Sequence, residues 1–290
     1  MSGGTQRREI LVFLPTLNEK SNIEGMLDSI LGLTPGLDIL VVDDNSSDGT
    51  GALIAAHAAE NPRIRLISRP GRLGIGSAHR LGWLYARLLG YARIVTLDAD
   101  HSHDPQDIPR FLAALDAGAD VALASRFVLG GRLDYTGWRR FLSRSANRLA
   151  RTLLGLPISE YTTAFRAARL DRVPVGLIES IPQNGYAFFM SATVQLAREG
   201  LHIKEIPIHF HDRRGGRSKM PRLEILRGAV SLLRLVLDRR RFEPMTLPGE
   251  SHATCAKCGA PYVIVTARER NCLRCMMLAT QPTPPQFVAK

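Results

Sequence analysis

The chain has 290 residues, enough for one large domain or one domain with a small appendage. Hydrophobic residues at 45% and charged residues at 22% exclude a disordered or collagen-like chain. The 38 Lys and Arg against 27 Asp and Glu leave a net charge of +11, which calls for an anionic partner: nucleic acid, a phosphorylated substrate or an acidic membrane surface.

Met1 to Glu9 is polar and lacks the apolar core of a secretory signal, so a cytoplasmic protein is expected. No run reaches the roughly 18 apolar residues of a membrane span, since the best candidate, Ile225 to Leu237, is cut by Arg227 and Arg234. After the N-terminus short apolar runs alternate with helical patterns. Strands are predicted at Ile10 to Leu14, Ile39 to Val42, Ile64 to Ile67, Ile94 to Leu97 and Val121 to Ala124. Helices are predicted at Ser21 to Leu31, Thr50 to Ala59, Gly76 to Leu89 and Asp107 to Leu115, with Asn18 or Ser21 capping the first. This alternation predicts an α/β fold with a mostly parallel sheet and crossover helices. Ligands of such sheets bind beyond the carboxyl ends of the strands, where Asn18-Glu19, Asp43-Asp44 and Asp98-Ala99-Asp100 fall.

Further on, a basic helix follows Trp138 and a strand is predicted over Ile203 to Phe210. His211 to Met220 reads as a loop rich in Arg, Gly and Lys, and Pro221 opens an amphipathic helix with Ile225, Leu226, Ala229, Val230, Leu233 and Val236 on one face. That stripe suits a membrane interface, but apolar stripes usually face a core. Residues 243–251 contain Pro244, Pro248 and Gly249 and read as a linker. The expected organisation is a domain at 1–242, that linker, a small module at 252–280 and a tail at 281–290.

The first 254 residues contain no cysteine, and all four lie in the module as Cys255-x-x-Cys258 and Cys272-x-x-Cys275, with thirteen residues between the pairs. Two such knuckles offer four thiolates to a tetrahedral Zn²⁺, and with no open position that metal is structural. The strand-like Tyr262 to Val265 between them fits a zinc ribbon.

At the strand tips, the Asp43-Asp44 turn suits a nucleobase or ribose and equally suits a solvated cap of the next helix. Asp98 and Asp100, two apart at the end of a buried strand, are suited to Mg²⁺ or Mn²⁺ with a diphosphate, because hard cations take oxygen ligands. A D-x-D by itself is frequent by chance.

The order of the motifs is more specific. Pro15-Thr16-Leu17-Asn18-Glu19, Val42-Asp43-Asp44-Asn45-Ser46-Ser47-Asp48-Gly49-Thr50, Asp98-Ala99-Asp100-His101-Ser102-His103-Asp104-Pro105 and Ser125-Arg126-Phe127 together resemble family 2 glycosyltransferases of the GT-A fold. Gly130-Gly131, Trp138-Arg139-Arg140, Phe165-Arg166, Gly185 to Phe188, Glu205 to Ile208 and Arg213 through Ser218-Lys219-Met220 resemble the dolichol-phosphate or polyprenol-phosphate mannose synthase branch. The likeness runs from about Arg8 to Arg241 and leaves the cysteine module outside. It implies donor contacts at Pro15, Glu19, Asp44, Ala99, Arg213 and Lys219, a metal at Asp98, Asp100 and Ser102, and catalytic roles for Asp98, Asp100, Arg126 and Arg139. Ser102 replaces a common Gln, Glu160 an Asp, and Ser191 a Glu.

The resemblance implies inverting transfer of mannose from the sugar nucleotide GDP-mannose to a polyprenyl or dolichyl phosphate, with Mg²⁺ or Mn²⁺ as cofactor. It also implies a peripheral position on the cytoplasmic face of a membrane, or a membrane partner subunit. A UDP-sugar donor or a non-lipid acceptor is the alternative within the family. A nucleic-acid-binding zinc-ribbon protein is the alternative outside it, disfavoured because aromatics are only 6% and the basic residues are interleaved with the acidic strand tips.

Overall fold

An apolar run whose two alternating faces are both hydrophobic is stable only inside a sheet that is covered on both sides. The computed structural model describes residues 9–33, 36–212 and 223–238 and two short strands beyond them, and it contains such a sheet. In chain order the elements are β1 (Ile10–Thr16), α1 (Lys20–Leu31), β2 (Leu37–Asp43), α2 (Thr50–Glu60), β3 (Ile64–Ser68), α3 (Ile75–Leu88), β4 (Arg93–Thr96), α4 (Ile108–Asp116) and β5 (Val121–Ser125). They continue with β6 (Arg132–Leu133), α5 (Gly137–Leu154), β7 (Arg166–Arg169), α6 (Ala187–Arg198), β8 (Ile203–Pro207), β9 (His209–Phe210) and α7 (Leu223–Leu237). Beyond these, β10 (His252–Thr254) pairs antiparallel with β11 (Pro261–Val263).

The seven-stranded sheet has the order β3-β2-β1-β4-β7-β5-β8, and only β7 runs antiparallel to its neighbours. Side chains alternate across it as the pleat requires. Val12 and Leu14 of β1 pack with Ile39 and Val41 of β2 against α1, α2 and α4, through residues such as Met26, Ile54 and Phe111. Leu11 and Phe13 pack with Leu40 and Val42 on the other face against α3 and α6, through Trp83, Phe188 and Phe189. A third cluster joins Leu123 of β5 to Val194 of α6 and to Leu232 and Leu235 of α7. The expected α/β architecture is present, and the five predicted strands and four predicted helices of the first half each appear, shifted by a residue or two at their ends.

Four points depart from the reading of the sequence. Residue Glu19, not Asn18 or Ser21, stands at the N-cap of α1, and its side chain makes no capping hydrogen bond. Asn18 takes a left-handed backbone (φ 53°) and uses its carboxamide to bind the next loop instead. The strand expected over Ile203 to Phe210 is two: Pro207 pairs with Ser125 at the end of the β5–β8 ladder, and His209–Phe210 turns away to pair with β6. Proline has no N–H with which to extend a ladder. The strand β7 carries too little apolar periodicity to be predicted, yet it fills the sheet between β4 and β5 with Arg166 wholly buried.

The fourth point concerns α7. The predicted stripe does share a face, but Leu226 and Leu233 are 62% and 59% exposed, whereas Ser231, Leu232 and Leu235 are buried. The helix packs on α6 mainly through residues outside the stripe, and of the stripe Val236 joins that packing. On α5, Trp138, Phe141, Leu149 and Leu153 are exposed as well. No helix among the described residues is long and apolar enough to cross a membrane.

One core residue is costly. His79 of α3 is fully buried against the rings of Phe13, Phe188 and Phe189, and neither ring nitrogen has a partner. Burial, reinforced by Arg166 and Arg69, holds it well below the usual histidine range, so the folded protein keeps it neutral. The unfolded chain takes up a proton below about pH 6.5, so stability falls as the pH drops through that value, by up to about 1.4 kcal/mol per pH unit from this residue. His79→Leu is expected to flatten that part of the pH dependence, measured by denaturant unfolding at pH 7.5 and pH 5.5.

Candidate active site

The register aligns the strand tips. Thr16 lies abreast of Asp43, and Asp43 abreast of Ser68, while Phe13 faces Thr96, so Asp98 comes level with Pro15 just beyond β4. The two aspartates that close β2 then part, as successive residues of an extended chain do. Asp43 turns inward, accepting hydrogen bonds from the Thr16 hydroxyl (2.8 Å) and the Ser46 amide (2.9 Å). Asp44 faces the cleft. The loop that follows is tied to β1: the Asn18 amide donates to Ser46 Oγ and the Ser47 amide to Asn18 Oδ1, each at 2.8 Å. Asp48 accepts from the Lys20 and Thr50 amides at 3.0 Å, and the Glu19 amide donates to Thr50 Oγ1. Asn18 and Asn45 both adopt positive φ, a conformation that asparagine tolerates better than most residues.

Asp44 forms a buried ion pair with Arg69 at the end of β3, and the Gly74 amide donates to its second oxygen at 3.1 Å. Burial raises the Asp44 carboxyl above its ordinary value, and the Arg69 guanidinium offsets this only in part. Arg69 also donates to Ser77 Oγ (2.6 Å) and to the Gly74 carbonyl (3.1 Å), which fixes the entry to α3. At Gly74, φ is 94° and a Cβ would lie 2.5 Å from the Asn184 carbonyl oxygen, so the loop before α3 presses directly on the loop before α6.

The Asp98–Asp100 turn forms the opposite wall. Asp100 is buried and accepts from the Ser102 amide (3.0 Å) and hydroxyl (2.6 Å), so Ser102 orients it. The Asp98 side chain is about a quarter exposed and lies 3.8 Å from Nδ1 of His103. The His103 ring is buried between Phe165 and Phe210, with centroids 5.5 and 5.3 Å away. His101, also at positive φ, lies with Nε2 3.1 Å from the Asn22 carbonyl oxygen.

These elements enclose a cleft of about 370 Å³. Of the residues expected at the site, Pro15, Glu19, Asp44, Asp98, Ala99 and Asp100 all line it. It is also lined by Arg72, Tyr186 and, from α7, Arg227, none of which was singled out as a ligand. Arg69 was also missed. Gly185 to Phe188 did carry a signal through the resemblance, whereas Arg227 read only as an interruption of an apolar run.

The remaining candidates lie elsewhere. Arg126, at the end of β5, directs its guanidinium at Glu160, with Nε and Nη2 each 2.7 Å from a carboxylate oxygen, and Nη1 donates to Tyr135 Oη at 2.6 Å. Burial alone would lower its pKa, and the Glu160 carboxylate reverses that and raises it. Arg139 sits in the first turn of α5, and its side chain lies outside the described residues, as do Arg213, Lys219, Cys255, Cys258, Cys272 and Cys275.

Comparison with known proteins places this geometry. Residues 11–172 match the model of glycosyl transferase family 2. The chain is 39% identical over 218 residues to a polyprenol monophosphomannose synthase from Mycolicibacterium smegmatis, across 74% of this chain and 82% of that one. It is 36% identical over 212 residues to an undecaprenyl-phosphate mannosyltransferase from Micrococcus luteus, across 73% of this chain and 87% of the other. A solved structure of glucosyl-3-phosphoglycerate synthase from Mycobacterium tuberculosis, in complex with Mn²⁺, UDP and glucosyl-3-phosphoglycerate, shares the fold at a TM-score of 0.54 and 24% identity over 80% of each chain. With its strand-tip aspartates and more than half of its length within that match, the chain belongs to glycosyl transferase family 2.

Proposed function

We propose that the protein transfers mannose from GDP-mannose to the phosphate of a polyprenol, with inversion at the sugar carbon. The observation that carries this reading is the cleft that brings Asp44, Asp98 and Asp100 together with Arg72 and Arg227, in a chain so similar to the polyprenyl-phosphate mannosyltransferases. Pro15, Glu19, Asp44 and Ala99 are assigned to the nucleoside side, and Arg213 and Lys219 to the phosphates. Guanidinium groups at the rim offset the repulsion between a diphosphate donor and a phosphate acceptor, and bind phosphate oxygens in forked pairs.

Asp98 and Asp100 present oxygen donors of the kind that Mg²⁺ and Mn²⁺ take, and we assign the metal to them. When bound there, the ion offsets the negative charge that gathers on the leaving diphosphate. The Ser102 hydroxyl and amide hold the Asp100 carboxylate in place for that task. The acceptor needs no strong base, because a phosphate monoester with a second pKa near 6 arrives largely ionised at neutral pH. One of its oxygens forms the new bond to the sugar carbon while the bond from that carbon to the diphosphate oxygen breaks, and the electron pair leaves with GDP. Arg126 is assigned to this region through its pair with Glu160, and Arg139 to the acceptor phosphate.

The lipid acceptor requires a membrane surface. We assign that contact to the cytoplasmic face, through the exposed Leu226, Val230, Leu233 and Leu237 of α7 and the exposed Trp138 and Phe141 of α5. Arg140, Arg144 and Arg148 of α5 supply charge for anionic headgroups, and Arg227 joins the same helix to the cleft. The cysteine module is assigned a structural Zn²⁺. In support, the described hairpin β10–β11 flanks the segment that bears Cys255 and Cys258.

Three outcomes are expected. Purified full-length protein, given Mn²⁺, a panel of labelled sugar nucleotides and a polyprenyl phosphate, yields a mannolipid from GDP-mannose; turnover only with UDP-sugars or only with a non-lipid acceptor replaces this reading. Asp100→Asn abolishes metal-dependent turnover with the thermal midpoint retained, and near-normal turnover removes Asp100 from the metal site. Leu226→Asp combined with Leu233→Asp lowers co-sedimentation with anionic vesicles at least tenfold and leaves folding intact, since both side chains face solvent.

A further inference from the structure

The short ribbon formed by β6 and β9 carries a cluster that the transfer reaction does not use. Its parallel register sets Arg132 opposite His209 and Leu133 opposite Phe210, so Asp134 follows on the same face as His209 and His211. On that face His209 Nε2 lies 2.6 Å from Asp134 Oδ1, and His211 Nδ1 lies 3.2 Å from Asp134 Oδ2. The two imidazole centroids are 4.1 Å apart, and one ligand atom from each of the three residues lies within 4.8 Å of the others. All three side chains remain between about a third and a half exposed.

We infer that Asp134, His209 and His211 form a binding site for a divalent transition metal of the Zn²⁺ class, separate from Asp98 and Asp100. Three features favour this over a simple hydrogen-bonded surface cluster. Two imidazoles converge on one carboxylate, which is more than that carboxylate needs for satisfaction and is a donor set found in mononuclear zinc sites. His209 lies in β9 and His211 directly follows it, while Asp134 directly follows β6 with its amide donating to the Phe210 carbonyl at 3.0 Å, so backbone hydrogen bonds at the end of the ribbon hold the donors in place. The outward face leaves room for water or another ligand. Zinc–nitrogen bonds near 2.0 to 2.1 Å set tetrahedral ligand atoms about 3.3 Å apart, so side-chain shifts of about an ångström suffice.

The ribbon also borders the active site. Between the two histidines, Phe210 points to the other face, where its ring meets His103 at 5.3 Å and the Arg126 guanidinium at 5.1 Å. The His211 amide donates to the Ser102 carbonyl at 3.0 Å. The inferred metal site therefore shares its ribbon with residues that pack against the Asp98–Asp100 turn and against Arg126.

The test is a metal count. Full-length protein is dialysed against micromolar Zn²⁺ in millimolar Mg²⁺, which fills oxygen-only sites but competes poorly for imidazole. Wild type is compared with His209→Ala, His211→Ala, and Cys255→Ser combined with Cys272→Ser. Each histidine variant is expected to bind one Zn²⁺ equivalent fewer than wild type, or to bind it at least tenfold more weakly. His209 is nearly half exposed, so its replacement leaves the fold intact by circular dichroism. The cysteine variant is expected to keep the histidine-dependent equivalent and, loaded with Co²⁺, to show a visible d–d band without a thiolate charge-transfer band. Equal zinc in wild type and both histidine variants overturns the assignment, and so does a Co²⁺ band in the cysteine variant that survives His209→Ala. None of these readouts depends on the sugar or the acceptor.

Discussion

Carboxylates at the tips of buried parallel strands need partners, and the active site is arranged around meeting that need. Asp44 is buried and negative, and Arg69 is the cation that makes it tolerable. Removing one member of such a pair leaves an uncompensated charge at a cost of about 3 to 5 kcal/mol, far more than an exposed pair contributes. Because the Arg69 guanidinium also holds Ser77 and Gly74, the same interaction sets the path of the chain into α3. The far wall of the cleft thereby inherits its position from the near one. Arg80 of α3 extends the connection by donating to the Ile181 and Gln183 carbonyls, which fixes the loop before α6.

Asp43 and Asp100 accept hydrogen bonds from neutral donors. Asp43 is held by Thr16 and Ser46, and Asp100 by Ser102. The consequence is a division of labour among residues of one type. Asp43 builds the turn, whereas Asp98 and Asp100 line the cleft that the metal is assigned to. The aromatic packing of His103 with Phe165 and Phe210 then links the turn after β4 to the small ribbon and to Arg126.

A second arrangement joins the cleft to the surface proposed to meet the lipid acceptor. The α7 helix turns Leu232 and Leu235 inward against α6, is held at its C-terminal end by Arg198 donating to the Leu235 and Asp238 carbonyls, and leaves Leu226 and Leu233 outside. Arg227, next to Leu226, lines the cleft. One helix thus leaves an apolar face exposed and lends Arg227 to the cleft, the arrangement on which the proposed docking of a phosphorylated lipid rests.

Much of this was legible in the sequence. The apolar runs of β1, β2 and β5 announce central strands, because a strand covered on both faces must be hydrophobic at every position. The polar residues that end β1, β2 and β4 mark the carboxyl edge, and their order alone identified the family. What local pattern could not show is long-range. The antiparallel β7 is short and alanine-rich, so its place in the sheet comes from its neighbours' ladders rather than from its own periodicity. The split between β8 and β9 depends on a partner strand, β6, that lies more than seventy residues earlier. The roles of Arg69, Arg72 and Arg227 depend on burial and approach, which a charge in a sequence does not encode, and the stripe on α7 marked an apolar face without saying which face meets the core. Sequence by itself determined the strands of the first half, their edge and the carboxylates at it, since hydrophobic period and residue type are local properties. Which cation answers each carboxylate, and which side of a helix is covered, was decided by the tertiary structure alone, because both are set by contacts between segments far apart in the chain.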